Sequence, residues 1–309
     1  LHVALDLLKA TGRGSWIATY EFTSDIRAIP AYASYSLRAT GQGTRIAGRV
    51  TGIQGTSYLN ATWAVTRTAH FLIYHSPYTL QGPDRRFLAR LEAQRATFIR
   101  KFGVQVAPLI AYYYYPDQRL MAPLTARTCG TSPGFVGCAD PDVRPPTVHS
   151  SEWPSYHEPV HIYQAALEPA PSGRISYVAP LFIAEGMAVA LEDQQLDPRL
   201  SDYCSDLSYV PLDSCAQLSI GNVQPLSLLA DRGFNRADPG DAYALAGSFV
   251  KYLILKYGYR PFGRFYHVLA AQPSDRERDY DFAASAVFQR SIRQLLGAWQ
   301  TALCRDGVC

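Results

Sequence analysis

The sequence predicts an α+β protein: a small N-terminal unit of one helix and an antiparallel sheet, then a unit with a short mixed sheet that turns mainly helical. Three observations carry this. Residues 16–65 are rich in aromatic and β-branched residues punctuated by Gly, Ser, Thr and Pro. Residues 68–115 read as strand, helix and strand, and the stretches after residue 150 read mostly as helices. A chain of 309 residues, 48% hydrophobic, can bury a sizeable core, and its length suggests about two domains. The boundary is expected at 66/67, with residues 1–66 an accessory domain and 67–309 the main one.

In order along the chain, "LHVALDLLKA" (1–10) reads as the end of a helix stopped by Gly12. "SWIATYEF", "AYASYSLRAT", "TRIAGRVTGI" and "SYLNATWAVTR" then read as about four antiparallel strands, half-buried, with the leading helix packed on them. "HFLIYHS" is the next strand, where His70 and His75 are expected to be structural. "PDRRFLARLEAQRATFIRKFG" reads as a helix with Phe87, Leu88, Leu91 and Phe98 on its apolar side and Gly103 as its stop. "VAPLIAYYYYPD" is a strand whose tyrosines, Tyr112 to Tyr115, are expected to pack. Residues 121–150 read as a long loop with five prolines. Helices are then expected in "HEPVHIYQAALE", "PLFIAEGMAVALEDQ", "GDAYALAGSFVKYLILKYG" and "RPFGRFYHVLAAQ", and as one element in "AASAVFQRSIRQLLGAWQTALC".

Composition narrows the function. The net charge is +3, with 29 basic and 26 acidic residues interspersed, so no nucleic acid or anionic membrane is indicated as a partner. No apolar stretch reaches the roughly 18 residues that a membrane-spanning helix needs. The chain opens at Leu1 without an initiator methionine, so a processed or trimmed form is expected, with any leader removed. Six cysteines fall in local pairs, Cys129/Cys138, Cys204/Cys215 and Cys304/Cys309, none with C-x-x-C spacing. Disulfides closing such short loops stabilise by roughly 2–3 kcal/mol each and need an oxidising compartment, so a secreted or extracytoplasmic location is expected.

The reactive groups cluster at 157–185. His157, Glu158 and His161 form H-E-x-x-H. On a helix, residues four apart share a face, so the two imidazoles can meet one metal ion with a glutamate beside them as base. A catalytic zinc wants a third protein ligand and one open position. Glu185, 24 residues after His161, interrupts the apolar run "PLFIAEGMAVAL", where a carboxylate is expensive unless a cation or hydrogen bonds compensate it. Pro159 requires a helix starting at about Pro154 or Ser155, or a kink at His157, because proline lacks the amide donor and is tolerated only in the first turn.

These motifs carry a resemblance. His157-Glu158-x-x-His161 followed by the Glu185-Gly186 helix resembles the gluzincin zinc peptidases, in their compact thermolysin-like form. "TAHFLIYH" is similar to the entry strand of that core, and "YALAGSFVKYLILKYG" to a Tyr-x-x-x-Gly-Ser-Phe helix of compact bacterial members. The resemblance spans roughly residues 66–305; the N-terminal unit only loosely suggests a cone-like accessory domain. It implies one catalytic Zn²⁺ held by His157, His161 and Glu185, Glu158 as general base, and a peptide or protein as substrate. It also implies an oxyanion donor on a later helix, for which Tyr243 is the first candidate and His267 the second. Two rival readings are a weak or inactive binding protein on the same scaffold, and a zinc site that is structural or serves a non-peptide hydrolase.

Overall fold

A computed structural model describes residues 8–9, 16–17, 32–40, 43–51, 57–75, 83–115, 118, 121, 125, 136–152, 155–169, 179–192, 212–272 and 275–304, with the backbone alone described before residue 63. The chain is α+β, as the patterning predicts. Strands β1 (Leu8–Lys9) and β2 (Trp16–Ile17) pair antiparallel, Leu8 opposite Ile17. The helix expected over residues 1–10 is thus corrected at Leu8–Lys9, while residues 1–7 lie outside the described set. A short apolar run has no period long enough to tell helix from strand; here a strand partner decides.

A seven-stranded sheet follows, in the order β3-β4-β5-β6-β7-β9-β8. It comprises β3 (Tyr32–Thr40), β4 (Gly43–Thr51), β5 (Ser57–Arg67), β6 (Phe71–His75), β7 (Ile110–Tyr114), β8 (Gly137–Asp140) and β9 (Thr147–Ser150). Strands β3 to β6 form an antiparallel meander, with Thr40 opposite Gly43 at the first turn and Arg67 opposite Leu72 at the last. Two strands, β8 and β9, stand where residues 121–150 read as loop. Four-residue strands between prolines carry too little alternation to be seen in sequence. Tyr113 stacks on Tyr74 and His149, and Tyr115 meets Trp63 edge to face, so these tyrosines pack.

Contacts divide the chain into two units. The first takes residues 1–83, 111–138 and 149–153, and the second 84–110, 139–148 and 154–309. The boundary expected at 66/67 falls inside β5, which pairs with β4 through its first half and β6 through its second.

The second unit is mainly helical. Helix α1 (Arg85–Phe98) is capped by Asp84, whose carboxylate accepts the Phe87 amide at 2.6 Å, and it ends through a π turn at Gly103, φ 73°. Then come α2 (His157–Gln164), α3 (Leu181–Leu191), α4 (Leu212–Ser219), a 3₁₀ turn (Pro225–Leu228), α5 (Asp231–Phe234), α6 (Pro239–Tyr257), α7 (Tyr259–Ala270), α8 (Glu277–Phe288) and α9 (Ile292–Leu303). The last predicted helix is two. Gln289 adopts a left-handed φ of 57°, and Ser291 with Gln294 forms a capping box that starts α9. That S-x-x-Q signature is visible in the sequence.

Helix α3 is buried all round, as an apolar helix must be. Its packing on α6 depends on two glycines. A Cβ on Gly186 would sit 2.5 Å from the Ala246 carbonyl oxygen, and one on Gly247 would overlap Val189. The Gly-Ser-Phe segment is therefore an adhesive surface. Gly247 admits α3, Ser248 joins Trp299 to Asp213, and Phe249 lies between Phe182 and Trp299.

Gly186→Ala is expected to destabilise by roughly 1–3 kcal/mol, as overpacking does. Gly297→Ala, at an exposed α9 position with nothing within 4 Å of the new methyl, is expected to stabilise by up to about 1 kcal/mol. Urea denaturation midpoints check both.

Candidate metal centre

Pro159 sets where α2 begins. The helix starts at His157, with Tyr156 as its N-cap, two to three residues later than expected. Proline is then the third helical residue, where its missing amide donor has no carbonyl to serve. The histidine pair is not splayed: His157 Nε2 and His161 Nε2 lie 3.2 Å apart. Glu158 falls in the first turn, only 8% exposed, beside the positive end of the helix dipole.

Helix α3 brings the third group. Glu185 Oε2 is 3.1 Å from His157 Nε2 and 3.4 Å from His161 Nε2. One donor atom from each of these residues lies within 4.8 Å of the others, and the three side chains could hold a metal ion. The two helices are locked in this register from both ends. Gln94 of α1 donates from Nε2 to the carbonyls of Tyr156 at 2.9 Å and Leu191 at 3.3 Å, tying the start of α2 to the end of α3. Gln164 donates from Nε2 to the Ala184 carbonyl at 2.7 Å, one residue before Glu185. Asp231 accepts the Leu181 amide at 2.8 Å and caps the start of α3.

The outer nitrogens of both imidazoles are engaged. His157 Nδ1 is 3.4 Å from Glu192 Oε2, and His161 Nδ1 is 3.0 Å from Gln164 Oε1. Carboxylate and amide oxygens only accept, so both Nδ1 atoms carry hydrogen, and a neutral ring then presents Nε2 as a bare lone pair. Two lone pairs and a carboxylate oxygen converging on one point repel each other unless something positive lies among them. Protons or a metal ion can fill that place.

The electrostatics express the same demand. Burial alone would lower the His157 pKa, but Glu185, Glu192 and Glu158 raise it well above its usual value. His161 is raised too, against burial and its neighbour's charge, chiefly by Glu185. Burial would raise Glu185, yet His161 and His157 hold it far below the usual carboxylate range. The cluster attracts positive charge strongly.

Of the two candidate donors, Tyr243 stands beside the centre. Its ring centroid is 6.1 Å from that of His157, on the early part of α6, and it is half-buried against Phe234. His267 sits on α7 with Nδ1 2.8 Å from the Leu167 carbonyl. That carbonyl can only accept, so Nδ1 carries the hydrogen of this bond. The sequence reading missed Gln164 and Glu192. Gln164 lies seven residues after His157 and Glu192 seven after Glu185, two helical turns along the same face, and that spacing is the signal that could have found them.

No protein-family model matches the chain, and no curated protein matches it. Among the described residues, no helix is long and apolar enough to cross a membrane. Cys138, Cys215 and Cys304 fall among the described residues, and their expected partners, Cys129, Cys204 and Cys309, lie outside them.

Just after α2, Glu168 has its carboxyl pushed up from 4.5 to about 7, by burial first and Asp142 second. A carboxyl raised on folding keeps its proton longer in the native state. Its contribution is full below about pH 4.5 and is lost as pH rises through about 7. Stability is therefore expected to fall across that window in the wild type, and less in Glu168→Gln; denaturation midpoints at pH 5 and pH 8 measure the difference.

Proposed function

We propose that this chain is a zinc-dependent peptidase of the gluzincin kind, hydrolysing peptide bonds with Glu158 as general base. The observation that supports it is the spacing and chemistry of the three donors. Ligands about 2.0–2.1 Å from a tetrahedral ion stand roughly 3.3 Å apart. The three donor atoms here are 3.1, 3.2 and 3.4 Å from one another. Two imidazoles and one carboxylate form the donor set of catalytic zinc sites, whereas calcium and magnesium favour oxygen alone. Only three protein groups converge among the described residues, which favours an open catalytic site over a closed structural one.

His157, His161 and Glu185 would hold the ion. When bound, zinc supplies Lewis-acid polarisation and makes water nucleophilic near neutral pH. The rest is the work of the chain. Glu158 takes the proton from the attacking water as the new C–O bond forms at the peptide carbonyl. It then delivers that proton to the departing nitrogen as the C–N bond breaks, leaving a free carboxyl and a free amine. Tyr243 donates its hydroxyl hydrogen to the carbonyl oxygen as that oxygen gathers negative charge.

Glu158→Gln is expected to bind zinc with wild-type stoichiometry while turnover of a peptide library falls by about 10²–10⁴-fold. Unchanged turnover would remove Glu158 from the mechanism. Tyr243→Phe is expected to lower kcat by about 10²–10³-fold with zinc content unaltered. Stoichiometric zinc in a wild type that cleaves nothing would replace the peptidase reading with that of a binding protein.

The proposal extends to the compartment, with disulfides Cys129–Cys138, Cys204–Cys215 and Cys304–Cys309 and a secreted or extracytoplasmic location. Alkylation without reduction is expected to label none of the six; labelling of any pair would remove that disulfide from the proposal.

A further inference from the structure

Gln164 is 1% exposed and belongs to none of the motifs that mark the site. A buried primary amide must satisfy both of its ends, and here the two ends have different duties. The Ala184 carbonyl, 2.7 Å from Nε2, can only accept, so the NH₂ group faces α3. Oε1 is thereby turned towards His161 Nδ1 at 3.0 Å, and the Tyr266 hydroxyl donates to the same oxygen from 3.4 Å. The amide cannot flip without setting its oxygen against the Ala184 carbonyl.

We propose that Gln164 is the positioning residue of the metal centre: its oriented amide holds hydrogen on His161 Nδ1 and so keeps Nε2 a lone pair aimed between His157 and Glu185. This rests on the metal-site reading above. The opposite tautomer would face the Nδ1 lone pair with the amide oxygen and turn an N–H into the space where an ion belongs. Because Nε2 of Gln164 binds the backbone next to Glu185, one side chain sets the tautomer of one ligand and the placement of another. The His157–Glu192 pair is the counterpart on the other histidine, and at 3.4 Å it is the longer of the two.

The test compares the full chain with Gln164→Met and Gln164→Glu. Methionine keeps the volume and removes both polar ends. Glutamate keeps an oxygen for His161 Nδ1–H, and when protonated can also donate to Ala184. Zinc affinity is measured by competition with a chelator, and the coordination of Co²⁺ by its visible absorption spectrum. The expected result is a roughly 10–100-fold loss of zinc affinity and an altered cobalt spectrum in Gln164→Met, the usual effect of removing an outer partner of a ligating histidine. Gln164→Glu is expected to regain wild-type affinity and spectrum even though its melting temperature falls. A role in packing alone predicts instead that affinity follows stability in both variants, and that result would overturn the proposal. So would a Gln164→Met protein that binds zinc as tightly as wild type. A measurement on the zinc-loaded wild type stands apart from folding of the variants: a slowly exchanging proton on His161 Nδ1 is expected in ¹H–¹⁵N spectra, and its absence counts against the assignment. A wild type that binds neither zinc nor cobalt would overturn the metal reading itself, which separates that failure from failure of the Gln164 assignment.

Discussion

A single carboxylate governs the organisation of the second unit. Glu185 projects from α3, whose other residues beyond its first turn are buried among apolar neighbours. Taking an ionised carboxylate out of water costs several kcal/mol unless opposite charge meets it at close range. His157 and His161 meet it from α2, and their own raised pKa values are the reciprocal of its lowered one.

Around that pairing the fold supplies rigidity in layers. Gly186 and Gly247 let α3 and α6 approach to backbone contact, which fixes the face from which Glu185 points. Two buried glutamines, Gln94 and Gln164, then bind backbone carbonyls at opposite ends of the α2–α3 pair. Neutral amides suit this task because they satisfy buried carbonyls without adding charge to a site that already holds several. The same approach of α3 and α6 places Tyr243 beside His157. Packing and chemistry are set by the same contacts.

Much of this was legible in the sequence, and the failures have causes. H-E-x-x-H and a glutamate in an apolar helix were readable because they violate local expectation: charges and imidazoles stand where a core is being built. Strands β3 to β7 were readable from their β-branched and aromatic content. Strands β8 and β9 were not, since four residues among prolines show no period. The division of the last helix was readable in principle from Ser291 and Gln294, but apolar residues continue on either side of the break and mask it. The start of α2 was misplaced by a few residues because Pro159 is compatible with any start that puts it in the first turn.

The sequence by itself determined the α+β class, the helical period that aligns His157 with His161, and the need of Glu185 for a counter-charge. These follow from short-range rules: side chains four apart share a helix face, and a carboxylate among apolar residues must be compensated. Tertiary structure alone decided that the His157–His161 pair is what meets Glu185, that Tyr243 stands beside His157, and that Gln164 and Glu192 engage the outer nitrogens of the two imidazoles. Those outcomes depend on how closely and at what rotation separate helices pack. Glycine contacts and buried amides far apart in the chain set that rotation, and no local pattern encodes it.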